Sequence, residues 1–341
     1  MKQILKIGTR ESELAVWQAT QVQNLLKENG VESELVYIKS EGDVDTVTPL
    51  YELGVQGIFT KTLDAALLKK KIDIAVHSMK DVPTQLAKGI KQAAVLKRGS
   101  HKDILVLHPD LAVTEGRLLR DSFLWSSGGG RRDTVSHLVV PLRKKYKEGE
   151  TEQVIIGTSS IRRIAQWLNR NKEDKIENLR GNINTRLRKL KESNWHGAIF
   201  AAAGLERINL RPENSVDLDW MLPAPAQGAI MAVCREDDSM SFEICQKFND
   251  ANTALCTKLE REFLRTLLGG CSTPISALAK VRGTKIIFKG NICSPDGSDL
   301  IEIEKRIPIE ICGQVGIDAA QEILKNPTAQ NIIQAIRNEK S

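Results

Sequence analysis

Ile74-Ala-Val-His-Ser-Met-Lys80-Asp81-Val-Pro83 is an apolar run that stops at a Lys-Asp pair and a proline. Asp73 to Val76 reads as a short buried strand, because an apolar run bounded by polar residues is the pattern of an inner strand in an α/β sheet. In open α/β sheets ligands lie beyond the carboxyl ends of the strands. Ser78, Lys80 and Asp81 therefore fall at the rim of a cleft, with Pro83 stiffening the exit. An isolated Lys-Asp pair merely decorates a turn; its company in the rest of the chain assigns chemistry to this one.

Upstream, Ile7-Gly8-Thr9-Arg10-Glu11-Ser12 follows a short strand and opens an amphipathic helix to about Asn29, with Leu14, Trp17, Val22 and Leu25 among its apolar positions. Ser12 is a natural N-cap, and the helix amino terminus together with Arg10 makes an anion site. Downstream, Ile156-Gly157-Thr158-Ser159-Ser160-Ile161-Arg162-Arg163 repeats the phrase after a strand from Val154 to Ile156. Two such strand-to-helix joints predict two similar α/β lobes facing one cleft. A third joint, Arg180-Gly181-Asn182-Ile183-Asn184-Thr185-Arg186, follows a strand from Ile176 to Leu179. Its glycine permits close backbone approach and Asn182 can cap.

The segment from Ser40 to Gln56, with Gly42, Asp43, Pro49, Glu52 and Gly54, has no sustained period and reads as a lid loop. A helix from Ile58 to about Lys70 follows, in which Phe59 is either core or a stacking wall for a planar ligand. Ile104 to Leu107 is a strand, and Leu111 to Gln153 is an insertion whose Arg131 and Arg132 read as a solvated patch. Trp195 to Ala201 is a further strand, leading to Arg207. Pro223-Ala-Pro-Ala-Gln227-Gly228 reads as a hinge returning the chain to the first lobe through a strand from Ile230 to Val233. A helix from Asn252, with Ala254, Leu255, Leu259, Phe263 and Leu267 in helical spacing, stops at Gly269-Gly270, and Cys271 comes next. Strands at Lys285 to Ile292 and Leu300 to Ile307, then helices from about Gln314, complete a small α+β domain. The expected organisation is lobe 1 at 1–98 and 228–248, lobe 2 at 99–227, and a C-terminal domain at 249–341.

Length and composition fit this division. The 341 residues exceed a single core, and 41% hydrophobic with 27% charged residues is ordinary for a globular chain. No apolar run spans a bilayer, so a cytoplasmic protein without membrane contact is expected. The six cysteines form no C-x-x-C pair and no cluster with the five histidines, which argues against zinc and against a disulfide framework. The net charge is +6, yet Ser160 to Lys191 alone holds ten Lys or Arg against Glu173, Asp174 and Glu177. That excess implies an anionic partner, either nucleic acid or a small molecule bearing several carboxylates or phosphates. Aromatics at 4%, not interleaved with the basic residues, speak against nucleic acid.

Taken in order, Gly8-Thr9-Arg10 with Ser12, Ile74 to Pro83, Gly157 to Arg163, Arg180-Gly181-Asn182 with Arg186, Ala202-Ala203-Gly204-Leu205 and Leu268-Gly269-Gly270-Cys271 resemble the hydroxymethylbilane synthase (porphobilinogen deaminase) family over almost the whole chain. The resemblance implies two α/β lobes like type II periplasmic binding proteins plus a small C-terminal α+β domain. It implies a transferase that joins four porphobilinogen units head to tail with loss of ammonia. The growing chain stands on a dipyrromethane primer linked by a thioether to Cys271, and hydrolysis then releases the linear tetrapyrrole. A soft sulfur on a flexible turn suits capture of an electrophilic methylene.

By the same resemblance Asp81 is the catalytic carboxylate facing the pyrrole N–H groups. Lys80, Asp81, Ser12, Ser159, Arg162, Arg163 and Gly181 hold the cofactor. Arg10, Ser12, Phe59, Arg180, Arg186, Arg207 and Gln227 bind substrate. Ser160 adds hydrogen bonds, and a monomer is the family default. Arginine forks suit this task because each pyrrole carries an acetate and a propionate. Three departures stand out. Glu52 and Gln56 occupy a lid where many members have lysines, Ala226 stands where glycine is usual before Gln-Gly, and the insertion is atypical. The rival readings are a non-catalytic two-lobed receptor for a small polyanion, which needs neither Asp81 nor Cys271, and the weaker nucleic-acid binder.

Overall fold

The computed structural model describes residues 4–39, 60–110, 153–267 and 273–338. The first lobe begins with β1 (Leu5–Thr9), α1 (Glu13–Glu28), β2 (Ser33–Tyr37), α2 (Lys61–Leu68), β3 (Ile74–Ser78) and β4 (Ile90–Val95). The second contains β5 (Asp103–Leu107), β6 (Ile155–Gly157), α3 (Ile161–Arg170), β7 (Lys175–Glu177), α4 (Ile183–Glu192), β8 (Gly197–Ala201), α5 (Ala202–Arg207) and β9 (Ser215–Asp217). The chain then returns to the first lobe through β10 (Ile230–Arg235) and α6 (Ser239–Gln246). The C-terminal domain comprises α7 (Ala251–Leu267), β11 (Ile275–Arg282), β12 (Lys285–Cys293), β13 (Leu300–Pro308), α8 (Val315–Leu324) and α9 (Pro327–Asn338).

The two lobes repeat one sheet. Its order is β2-β1-β3-β10-β4 in the first and β7-β6-β8-β5-β9 in the second. In each, three parallel strands are followed by one running antiparallel to both its neighbours, and that strand is where the chain arrives from the other lobe. These are the two α/β lobes expected, with the third domain built on a β11-β12-β13 meander. The Ile-Gly-Thr phrases occupy equivalent places: Gly8 pairs with Ala75, and Gly157 with Ala198. A Cβ at Gly8 would collide with Ile72, and one at Gly157 would lie 2.5 Å from the Trp195 ring. Both glycines are therefore dictated by packing.

β3 is covered on both faces. Ile74 and Val76 join the core under α1, while Ala75 and Met79 join the one under α2, which explains its unbroken apolar sequence. The strand runs to Ser78 rather than ending at Val76, because Ile230 of β10 pairs with Ser78 and prolongs the ladder. Conversely, α2 stops at Leu68, short of the expected Lys70, which adopts a left-handed φ of 57°. In the third domain Phe263 of α7 packs edge-on to Phe288, with centroids 5.4 Å apart. Gly290 leaves the room Phe263 needs, since a Cβ there would lie 2.6 Å from that ring.

Cys234, Cys245, Cys256, Cys293 and Cys312 are free and buried, as expected of small core residues. No helix among the described residues is long and apolar enough to cross a membrane. The acidic loop with Glu52 and Gln56, Phe59, the insertion with Arg131 and Arg132, and Gly269-Gly270-Cys271 lie outside the described residues.

Candidate active site

β3 delivers its last residues into a short 3-10 turn, Met79–Asp81. Met79 is the buried anchor, its N–H donating to Ala229 O of the returning crossing at 3.0 Å. Lys80 is half-buried and Asp81 is exposed at the tip. Ser78 is tied back to α1, where buried Gln18 donates from Nε2 to Ser78 Oγ at 2.9 Å. His77, on the opposite face, is buried with Nε2 lacking a hydrogen-bond partner. Its burial first, and the charge of Arg10 second, push its pKa down to about 4, so the imidazole is neutral.

Facing this turn, the second lobe presents arginines organised by a residue that sequence reasoning missed. Asp103, at the head of β5 and with no exposed surface, accepts from Arg162 Nη1 at 2.7 Å and from Arg163 Nη2 at 2.7 Å. Arg163 Nε adds a contact at 3.1 Å, and Gln227 Nε2 donates to the same carboxylate at 3.0 Å. Burial alone would raise the Asp103 pKa, but the two guanidiniums overcome it and hold the carboxyl well below the usual range. Two of the ten cations counted between Ser160 and Lys191 are thus answered by an acid outside that stretch. Arg162 retains a buried Nε without a hydrogen-bond partner.

The lobes meet electrically around Lys80 and Asp81. Burial lowers the Lys80 pKa to about 8; Asp81 opposes the shift, Arg163 and Arg162 reinforce it, and Asp103 opposes it. Burial likewise brings Arg186 to about 10, with Arg163 and Arg180 adding to the shift and Asp81 resisting it. Arg186 is held by its Nε–H donating to Gly181 O at 2.8 Å. Gly181 has a φ of 113°, and a Cβ on it would lie 2.7 Å from Thr185. Asp81 and Lys80 of one lobe therefore share a field with Arg162, Arg163, Arg180 and Arg186 of the other.

The remaining candidates divide by what they touch. Ser12 and Ser160 hold N-cap positions, but their hydroxyls make no capping bond, which corrects the expectation for Ser12. The first-turn N–H groups of α1, and those of Ile161 and Arg162 in α3, are thereby left to other acceptors, whereas Arg163 N–H donates to Ser160 O at 2.9 Å. Asn182, in contrast, caps α4 by accepting from Thr185 N at 2.9 Å. Ser159 donates to Leu179 O at 2.8 Å. Gln227 is enclosed within the hinge, donating to His101 O at 2.9 Å as well as to Asp103. Arg207 donates to Gly228 O at 2.7 Å with its guanidinium 5.7 Å from the Trp17 ring centre, so it bridges second lobe, hinge and α1.

The hinge is gripped by the third domain. Glu260 of α7 takes Arg98 through two bonds of 2.6 and 3.0 Å, and accepts from the N–H groups of Ala226 and Ala279 at 2.7 Å each. Ala226 has a left-handed φ of 62°, which accounts physically for a preference for glycine there. The donor set fits a pyrrole ligand bearing several carboxylates. Guanidiniums and one ammonium outnumber the local acids, a buried Arg162 N–H lacks a partner, and one exposed carboxylate is available for pyrrole N–H groups.

Such a site, in two repeated α/β lobes with a third domain across their hinge, defines a protein that holds and works on a small polycarboxylate. Residues 5–243 match the family described as "Porphobilinogen deaminase, dipyromethane cofactor binding domain", and residues 254–325 match "Porphobilinogen deaminase, C-terminal domain". Porphobilinogen deaminase of Acidithiobacillus ferrooxidans is 35% identical over 346 residues, covering 99% of this chain and 100% of that protein. The Syntrophotalea carbinolica enzyme is 38% identical, covering 94% and 92%. The chloroplastic enzyme of Oryza sativa is 37% identical, covering 94% and 83%. The chain belongs to the porphobilinogen deaminase family.

Proposed function

We propose that this chain catalyses the hydroxymethylbilane synthase reaction, condensing four porphobilinogen molecules with loss of ammonia and releasing the linear tetrapyrrole by hydrolysis. The observation that carries the reading is the placement of Asp81, an exposed carboxylate on the turn that follows β3, in the field of Arg186 and the Asp103-organised arginines. Dipyrromethane, tethered through a thioether to Cys271, supplies the pyrrole ring to which the first porphobilinogen is joined.

Lys80, Arg180 and Arg186, with Arg10 from the first lobe, bind acetate and propionate groups, while Arg162 and Arg163, expected as direct ligands but committed to Asp103, add positive charge behind them. Bidentate forks orient each ring as well as neutralising it. Asp81 accepts from pyrrole N–H and stabilises the positive charge that spreads onto the ring nitrogen as ammonia departs. Losing such a preorganised group costs on the order of 10²–10³ in rate. The reading includes a cytoplasmic monomer; the five buried free thiols suit a reducing compartment.

Intact mass spectrometry with turnover assays tests it. The purified chain should carry an adduct of two pyrrole units that disappears in Cys271→Ala. Asp81→Ala should fold and retain the adduct but scarcely turn over. An unmodified wild-type chain, or near-normal turnover in Asp81→Ala, would overturn the assignment.

A further inference from the structure

Two adjacent residues of α7 reach in different directions. Glu260 holds the hinge, whereas Arg261 extends to the turn that presents Asp81. Arg261 Nη1 donates to Val82 O at 2.9 Å and Met79 O at 3.3 Å, and Nη2 donates to Pro83 O at 2.5 Å. A three-residue 3-10 turn has little holding power of its own. Its internal bond, from Val82 N to Met79 O, is 3.2 Å long. The carbonyls on either side of Asp81 need donors, and one planar guanidinium serves three of them. Because Asp81 is itself exposed, the direction of its carboxylate is governed by the backbone beneath it. That backbone is pinned at Met79 by Ala229 O and, from the far side, by a helix of the third domain.

We infer that Arg261 is a positioning residue for the catalytic turn: by tying Met79, Val82 and Pro83 to α7, it fixes Asp81 relative to the domain that carries the cofactor cysteine. The inference rests on the reading of Asp81 as the catalytic carboxylate. A displacement of about 1 Å at a reacting group costs on the order of 10²-fold in rate, so a loosened turn shows in kcat before it shows in binding. Lysine is no substitute, because a single ammonium cannot span three carbonyls as a fork does.

The test compares Arg261→Lys and Arg261→Met, purified with cofactor attached as verified by mass, with Asp81→Glu and with the double variant Arg261→Lys/Asp81→Glu. The expected result is a fall in kcat of about 10- to 100-fold in both Arg261 variants with KM within about threefold. In the Asp81→Glu background, where the carboxylate is already displaced by a methylene, Arg261→Lys should cost less than about threefold more, because both changes act through one group. Unchanged kcat in either folded Arg261 variant, or losses that multiply in full in the double variant, would overturn the inference. Wild-type turnover in Asp81→Glu and in Asp81→Ala would instead remove the underlying reading of Asp81.

Discussion

Arg163 meets Asp103 through two nitrogens, Nη2 at 2.7 Å and Nε at 3.1 Å, with both side chains almost wholly shut off from solvent. Its Nη1 is left to Ile199 O at 2.8 Å, so the guanidinium is fixed on all sides before any ligand arrives.

Removing Asp103 should therefore damage stability as well as the site. Asp103→Ala leaves Arg162 and Arg163 buried without their counter-charge, and breaking a buried pair in this way costs about 3–5 kcal/mol. Urea unfolding should show a loss of at least about 3 kcal/mol; a loss below about 1 kcal/mol would show that the pair carries little of the fold.

Lys80 sets a pH dependence. Burial depresses its pKa to about 8, so the ammonium is present at pH 7 and vanishes as the pH rises through 8. The free-enzyme profile of kcat/KM should fall on the alkaline side near that value, and Lys80→Met should be low and flat across the same window. Stability moves the other way. Between pH 8 and 10.5 the unfolded chain binds more protons at this lysine, so its contribution to folding rises with pH there.

Gly228 is a point where the two hinge crossings touch. Its φ is 84°, a Cβ would lie 2.5 Å from Ser100 O, and its carbonyl accepts from Gly99 N at 3.0 Å. Gly228→Ala must bear a left-handed penalty of about 1–2 kcal/mol besides a clash with backbone. A total loss above about 2 kcal/mol by denaturant midpoint is expected, and a neutral result would mean the crossings separate freely.

Ala226 offers the contrasting case. Replacing it by glycine relieves a left-handed alanine, worth about 1–2 kcal/mol, but removes a buried methyl worth about 0.8 kcal/mol and loosens the unfolded chain. Ala226→Gly should change stability by less than about 1 kcal/mol in thermal unfolding, whereas Ala226→Val should lose more than about 2 kcal/mol.

Much of this was legible in the chain. Repeated Ile-Gly-Thr phrases marked both lobes, and the three joints at Arg10, Arg162 and Arg180 marked strand ends, because local spacing encodes where a strand stops and a helix starts. β2, β4, β9 and β11 escaped notice, and they share one physical feature. All four are outer strands, β9 only three residues long and β2 and β4 interrupted by polar residues, so an edge position does not require an unbroken apolar run. Asp103 was hidden by distance, lying 59 and 60 residues from the arginines it binds. Its one local signal is an acid opening the otherwise apolar Asp-Ile-Leu-Val-Leu strand, where full burial demands a partner. Glu260 gave a similar signal by falling on the apolar face of α7 beside Cys256 and Phe263. Arg261 gave none: between two glutamates it reads as a solvated position, and only the folded chain brings it to Pro83.

The exchange of β10 has a consequence for biosynthesis. Because β10 sits between β3 and β4, the amino-terminal sheet stays split until residue 235 has left the ribosome, with two strand edges waiting for a segment encoded after the whole second lobe. Translation products ending before that point would expose those edges to neighbouring chains, so truncation there invites aggregation rather than a shortened native domain.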